Sequence, residues 1–267
     1  MNFKDYMLKD GEKPLDKIVD DGGFTAIFRT IAVVGDSLSS GEFEGTREDG
    51  GKSYHDMFEY SWGQFIARAC GSKVYNFSRG GMTAREYCDG WGEDNGVWDE
   101  SKKAQAYIIA LGVNDYFNQH QELGSVADID LNDWRNNKKT IVGYYATIIQ
   151  RYKEIQPDAK FFFVSMPKAS ESEIERNEQA KTYRDMLQSL VLVFSNSYLI
   201  DLYEYAPAYD EEYSRFFRLG GHLNPMGYLL TGKMISSYID WIIRSNPKDF
   251  KQIGFIGTPY KNTVDKN

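Results

Sequence analysis

Three residue types that together can cleave an ester recur here beside glycine-bearing turns. Gly35-Asp36-Ser37-Leu38-Ser39 directly follows an apolar run, Thr30 to Gly35 (TIAVVG). A serine just past a strand, after a glycine that permits a sharp turn, is presented at the carboxyl edge of a sheet with its own N–H facing the same space. It can serve as a nucleophile or simply cap a helix. Asn76 to Thr83 (NFSRGGMT) places adjacent glycines after a second strand, where they offer an unblocked N–H or a tight turn of positive φ. In Gly112-Val113-Asn114-Asp115, Asn114 can donate its amide to an oxyanion or end the strand in an Asx-turn. Of the histidines, His55 and His120 fall in polar stretches and read as solvated loop residues. His222 lies in Gly220-Gly221-His222-Leu223-Asn224-Pro225, between the last strand and the last helix, where a base could reach Ser37.

The elements that would position these residues follow from hydrophobic periodicity. Thr30–Gly35, Lys73–Asn76, Ala106–Leu111, Lys160–Ser165 and Ser197–Asp201 are short runs without alternation, as expected of parallel strands covered on both faces. Between them run helical patterns. Ile141, Tyr145, Ile148, Tyr152 and Ile155 recur at three and four residues in a segment from about 132 to 156, which Pro157 ends. Ser170 with Glu173 reads as a capping box for a helix that turns Ile174, Leu187, Leu190, Val191 and Phe194 inward. Asn224 and Pro225 read as a cap and first turn for a last helix burying Met226, Leu230, Tyr238, Ile239 and Ile242. The pattern predicts a three-layer α/β/α domain, doubly wound, with the site at the carboxyl ends of the strands. Glu42 to Tyr60 is a polar, acidic insertion outside that frame. The tail after Asn246, with Phe250, Ile253, Phe255 and Ile256, reads as lying along the surface.

Taken together, the four blocks resemble the SGNH hydrolase superfamily, the GDSL esterases and lipases. VVGDSLSSG carries the nucleophile to Ser37. NFSRGGMT carries the glycine of the oxyanion hole to Gly81, in preference to Gly80. G-x-N-D carries the oxyanion asparagine to Asn114, and the base falls on His222, followed by a family-like N-P-x-G-Y at Asn224 to Tyr228. The resemblance runs from about Thr30 to Arg244. It implies a flavodoxin-like fold with a central five-stranded parallel sheet, and a serine esterase working through an acyl-enzyme without metal or cofactor. The oxyanion would be held by the Ser37 and Gly81 amides and by Asn114. The expected partner is a small-molecule ester, a short acyl group on a sugar or small alcohol, with a lipid or thioester as the alternative.

One departure stands out. The family places an aspartate three residues before the histidine, and here that residue is Leu219. Leucine cannot accept the proton that orients the imidazole. A backbone carbonyl near Leu219 or Gly220 is the favoured replacement, and Asp201 or the Asp210-Glu211-Glu212 cluster the alternative. The rival reading is a binding domain whose triad has decayed.

Composition bounds the rest. At 267 residues one domain is expected over 1–267, with a core of about 30–244, an N-terminal arm 1–29 and a tail 246–267. A net charge of −8 argues against nucleic acid and against anionic membranes as partners. No signal-peptide pattern is visible, so a cytoplasmic location is expected, with Cys70 and Cys88 reduced. Thr46 to Ser53 (TREDGGKS) only superficially suggests a phosphate loop, because Gly45 stands one position too far from the Gly-Lys pair. Neither G-x-S-x-G nor a G-x-G-x-x-G after the first strand is present.

Overall fold

The computed structural model describes residues 2–264. Along the chain, β1 (Thr30–Gly35) is followed by a hairpin of β2 (Glu42–Thr46) and β3 (Lys52–Asp56). Then come β4 (Lys73–Ser78), β5 (Ala106–Ala110), β6 (Lys160–Val164) and β7 (Ser197–Ile200). A two-residue ribbon, β8 (Arg218–Leu219) and β9 (His222–Leu223), closes the series. The five longer apolar runs form one parallel sheet in the order β4-β1-β5-β6-β7. This is the flavodoxin-like order, whose switch point lies where β1 meets β5. The expected α/β fold is therefore present.

Successive residues of each strand enter opposite layers, which is why the runs are apolar throughout. Val34, Tyr107 and Phe163 face one core with α3 (Ile141–Ile155) and α4 (Ile174–Val193). Val33, Ile108 and Phe162 face the other, built with α2 (Trp62–Cys70) and α5 (Pro225–Ser245). Phe162 is wholly buried against Phe28. Truncating it to alanine would cost about 3–5 kcal/mol in lost transfer energy and cavity. Cys70 and Cys88 are both free thiols.

Three boundaries differ from expectation. The helix expected from about 132 begins at Ile141, because Thr140 caps it by accepting from Gly143 N at 3.2 Å. The capping box at Ser170 does not form. Ser170 Oγ pairs with Ser172 Oγ, and the Asn177 side chain ties down Ala169 N and Ser170 O, so α4 starts only at Ile174, which is exposed. Met226 is likewise exposed, in the first turn of α5. Asn224 does cap that helix, accepting from Gly227 N at 3.0 Å with Pro225 in the first turn.

The tail does not simply lie along the surface as expected. Phe250, Ile253 and Ile256 are buried in the α2–α5 core, and only Phe255 is half out. The arm is also engaged. Thr25 Oγ1 donates to Ser236 O at 2.8 Å, Phe24 N donates to Asp240 Oδ1 at 2.8 Å, and Glu12 pairs with Arg244 at 2.6 Å. Among the described residues no helix is long and apolar enough to cross a membrane.

Candidate active site

Ser37 opens α1 (Ser37–Ser40), a single helical turn at the carboxyl end of β1. Asp36 caps it by accepting from Leu38 N at 3.0 Å. As the first helical residue, Ser37 has an N–H with no acceptor inside the helix. Burial pushes the Asp36 carboxyl up to about 7, so this cap is about half protonated near pH 7.

The adjacent glycines divide two tasks. Gly81 has φ +73 with open space where a side chain would go, which leaves its backbone accessible. A Cβ on Gly80 would instead overlap the Glu42 carboxylate, so this glycine makes room for an acid. The third block is stitched to the second. Asn114 Nδ2 donates to Met82 O at 3.1 Å and Oδ1 accepts from Asn118 at 3.0 Å, leaving one amide hydrogen of Asn114 for a ligand. Asp115, buried, accepts from Ala84 N at 2.7 Å, and burial pushes it up to about 6. The turn itself needs Gly112, whose φ is +118 and whose missing Cβ makes room for the Tyr183 ring.

His222 stands on β9, opposite Leu219 of β8. Its Nε2 lies 3.0 Å from Glu42 Oε1, with the two side chains 15% and 12% exposed, so this is a partly desolvated pair. Its Nδ1 is buried without a hydrogen-bond partner. No backbone carbonyl near Leu219 or Gly220 takes the aspartate's place, contrary to expectation. Neither expected carboxylate does so either. Asp201 pairs with Arg184 at 2.6 Å and caps the turn Leu202–Tyr205, while Asp210 caps the helix Glu211–Phe217 through Tyr213 N at 2.9 Å. Both are committed to local structure, and neither forms a hydrogen bond or ion pair with His222.

The carboxylate that meets His222 comes from the insertion set aside above. In the β2–β3 hairpin, Glu42 stands opposite Asp56 and Glu44 opposite Tyr54, placing all four on one face. That face covers His222. Tyr54 meets its ring edge-on at 5.8 Å, and Glu44 accepts from Gly221 N at 3.0 Å. The opposite face packs, with Phe43 against Tyr60 and Tyr228, and Tyr228 Oη donates to Glu42 O at 2.6 Å. Burial raises the Glu42 pKa and the facing Asp56 raises it further. Burial lowers that of His222, opposed by the charges of Glu44 and Asp56. The imidazole is therefore neutral near pH 7, as a base must be. His55 shares the Phe43 face of the hairpin but is itself exposed, bonded to Ser53, and His120 is exposed.

Ser37, Gly81, Asn114 and His222 all line one cleft of about 650 Å³, together with Glu42 and Tyr54. The model of the GDSL-like lipase/acylhydrolase family matches residues 33–230. The chain belongs to that family. It is accordingly a serine hydrolase, and the four blocks of this GDSL-like hydrolase fall inside the matched span. Among solved structures, a protein from Lactobacillus plantarum shares the fold at TM-score 0.56 and 16% identity, over 80% of this chain and 97% of its own. A family two carbohydrate esterase from Clostridium thermocellum, solved with cellohexaose, superposes at TM-score 0.54 and 16% identity, over 89% of this chain and 66% of its own. A family 2 carbohydrate esterase from Corynascus thermopiles, carrying a carbohydrate-binding domain, gives TM-score 0.52 and 15% identity, over 79% and 65%. This GDSL-like hydrolase thus spans about two thirds of each of those two esterases. Comparison with curated protein sequences finds no match.

Proposed function

We propose that the chain hydrolyses an ester of a short acyl group with a sugar or small alcohol, through an acyl-enzyme on Ser37. The observation that carries this reading is the convergence of Ser37, Gly81, Asn114 and His222 on one cleft. His222 takes the Ser37 proton as the oxygen attacks the ester carbonyl. The amides of Ser37 and Gly81 and the free amide hydrogen of Asn114 hold the negative oxygen. His222 then protonates the departing alcohol, and water activated by the same imidazole releases the acid.

Glu42 performs the task that Leu219 cannot. A carboxylate on Nε2 keeps the proton there and puts the lone pair on Nδ1, which is buried without a partner, so the imidazole must turn before Nδ1 can take the Ser37 proton. Once the imidazolium forms, the same carboxylate stabilises it. A carbohydrate alcohol fits an open cleft whose lining mixes Tyr54, Phe117 and Asn118 with Lys168 and Arg176. The carbohydrate esterases that share the fold lend this reading support.

Wild-type protein should hydrolyse p-nitrophenyl acetate and butyrate, and Ser37→Ala should abolish it. Equal rates for the two proteins would instead favour a binding domain with a decayed triad.

A further inference from the structure

Behind the nucleophile lies a second, smaller cavity of about 70 Å³ whose lining is predominantly apolar. Four of its wall residues are the immediate chain neighbours of the reactive ones. Asp36 and Leu38 flank Ser37, Val113 precedes Asn114 and Leu223 follows His222. Leu38, Val113 and Leu223 also line the main cleft, as do Met166, Pro167 and Tyr209, so the two spaces share a wall at the reacting centre. Trp62 and Ile235, both buried, also line the smaller cavity. The main cleft, by contrast, carries Glu42, Glu173, Lys168, Arg176 and Arg218 and suits a polar group.

An ester has two ends of different polarity, and the molecule offers two adjoining spaces of matching character, a cleft lined by Ser37 and a chamber lined by its chain neighbours. We propose that the 70 Å³ chamber is the acyl-binding pocket and that the open cleft receives the alcohol. The proposal rests on the serine-esterase reading and sharpens it by assigning the acyl length to named residues. A water-sized group needs about 10–15 Å³ of such space, so the chamber takes roughly five to seven carbons beyond the carbonyl. Each methylene that enters should raise kcat/KM about fourfold. Butyryl, hexanoyl and octanoyl esters should then exceed acetyl, while decanoyl and longer esters fall away.

Two variants test the assignment from opposite sides. Ala110 lines the chamber but not the cleft, and Ala110→Val narrows it. Met166→Ala widens the shared wall. The readout is the ratio of kcat/KM for p-nitrophenyl butyrate to that for the acetate, which is independent of how much folded enzyme a preparation contains. Ala110→Val should lower this ratio about tenfold, and Met166→Ala should move the optimum to a longer chain. If wild type is active and the chain-length profile is unchanged in both variants, the acyl group lies in the open cleft and the proposal is overturned. If wild type is inert toward every ester while correctly folded, the parent reading fails and takes the proposal with it.

Discussion

Glu42→Gln is the substitution on which the proposed chemistry depends most sharply. It preserves size and leaves an oxygen for the His222 Nε2–H, but removes the charge. At 3.0 Å, full charges attract by about 5.5 kcal/mol at an effective dielectric near 20. Desolvation, screening through the open cleft, and the carboxylates of Glu44 and Asp56 that remain nearby all reduce the net loss. A net charge-assisted hydrogen bond of about 2–3 kcal/mol is a fair residue of these terms. At 1.36 kcal/mol per tenfold, kcat should fall by about 30–150-fold. That is less than the roughly 10⁴ of the serine-protease aspartate, because the charges of Glu44 and Asp56 still act on His222. The assay is kcat and kcat/KM on p-nitrophenyl butyrate, from mildly acidic to mildly alkaline pH. Removing a negative charge disfavours the imidazolium, so the His222 pKa falls further. The acidic limb of kcat/KM should therefore move to lower pH while the plateau drops. An unchanged rate with an unchanged limb would refute the role. A faster variant would refute it differently, by showing that Glu42 competes with Ser37 for the imidazole.

Three further outcomes follow from the same geometry. Asn114→Ala should lower kcat about 10²–10³-fold with little change in KM, read from steady-state kinetics on one ester. Leu219→Asp in the Glu42→Gln background should recover part of the lost rate, because the residue stands opposite His222 and is exposed enough to accept a carboxylate. Asp36→Asn keeps an acceptor for Leu38 N and removes a carboxyl whose folded pKa is raised from 3.8 to about 7. A raised carboxyl contributes stability below its unfolded pKa and loses it as pH rises through the folded value. The variant should therefore gain over wild type by a few kcal/mol between pH 4 and 8, measured by thermal unfolding, and a constant gap would count against this account.

The sheet and the four blocks were legible in the sequence because each depends on neighbours along the chain. A both-faces-apolar strand, a glycine at its end and a reactive residue just beyond it form a local pattern, and the order β4-β1-β5-β6-β7 set them along one edge. The acid was not legible, for a physical reason. Its role is defined by tertiary approach to His222, while locally Glu42 and Glu44 look like any solvated acidic stretch. A signal was nonetheless present. Glu42 to Thr46 and Lys52 to Asp56 flank an Asp-Gly-Gly turn and alternate with period two, a hairpin pattern with its acids on one face. Placing Glu42 directly opposite Asp56 breaks the rule against like charges across strands. Such violations belong at working sites, where function outweighs local stability. Asp201 and Asp210 misled because a carboxylate after a strand is equally a helix cap, and both were consumed that way.

The hairpin also has an evolutionary corollary. The proposed nucleophile and acid ride on one stretch of chain, Ser37 and Glu42 being separated by only the turn of α1, while the proposed base, His222, stands on β9 much later in the sequence. An aspartate before the histidine ties acid and base together instead. These are two ways of assigning three roles to two segments, and a chain needs only one. Across relatives, a hairpin acid and a terminal-loop aspartate should thus substitute for one another. A lineage that shed the hairpin without first regaining the aspartate would pass through an intermediate that binds its ester and scarcely turns it over.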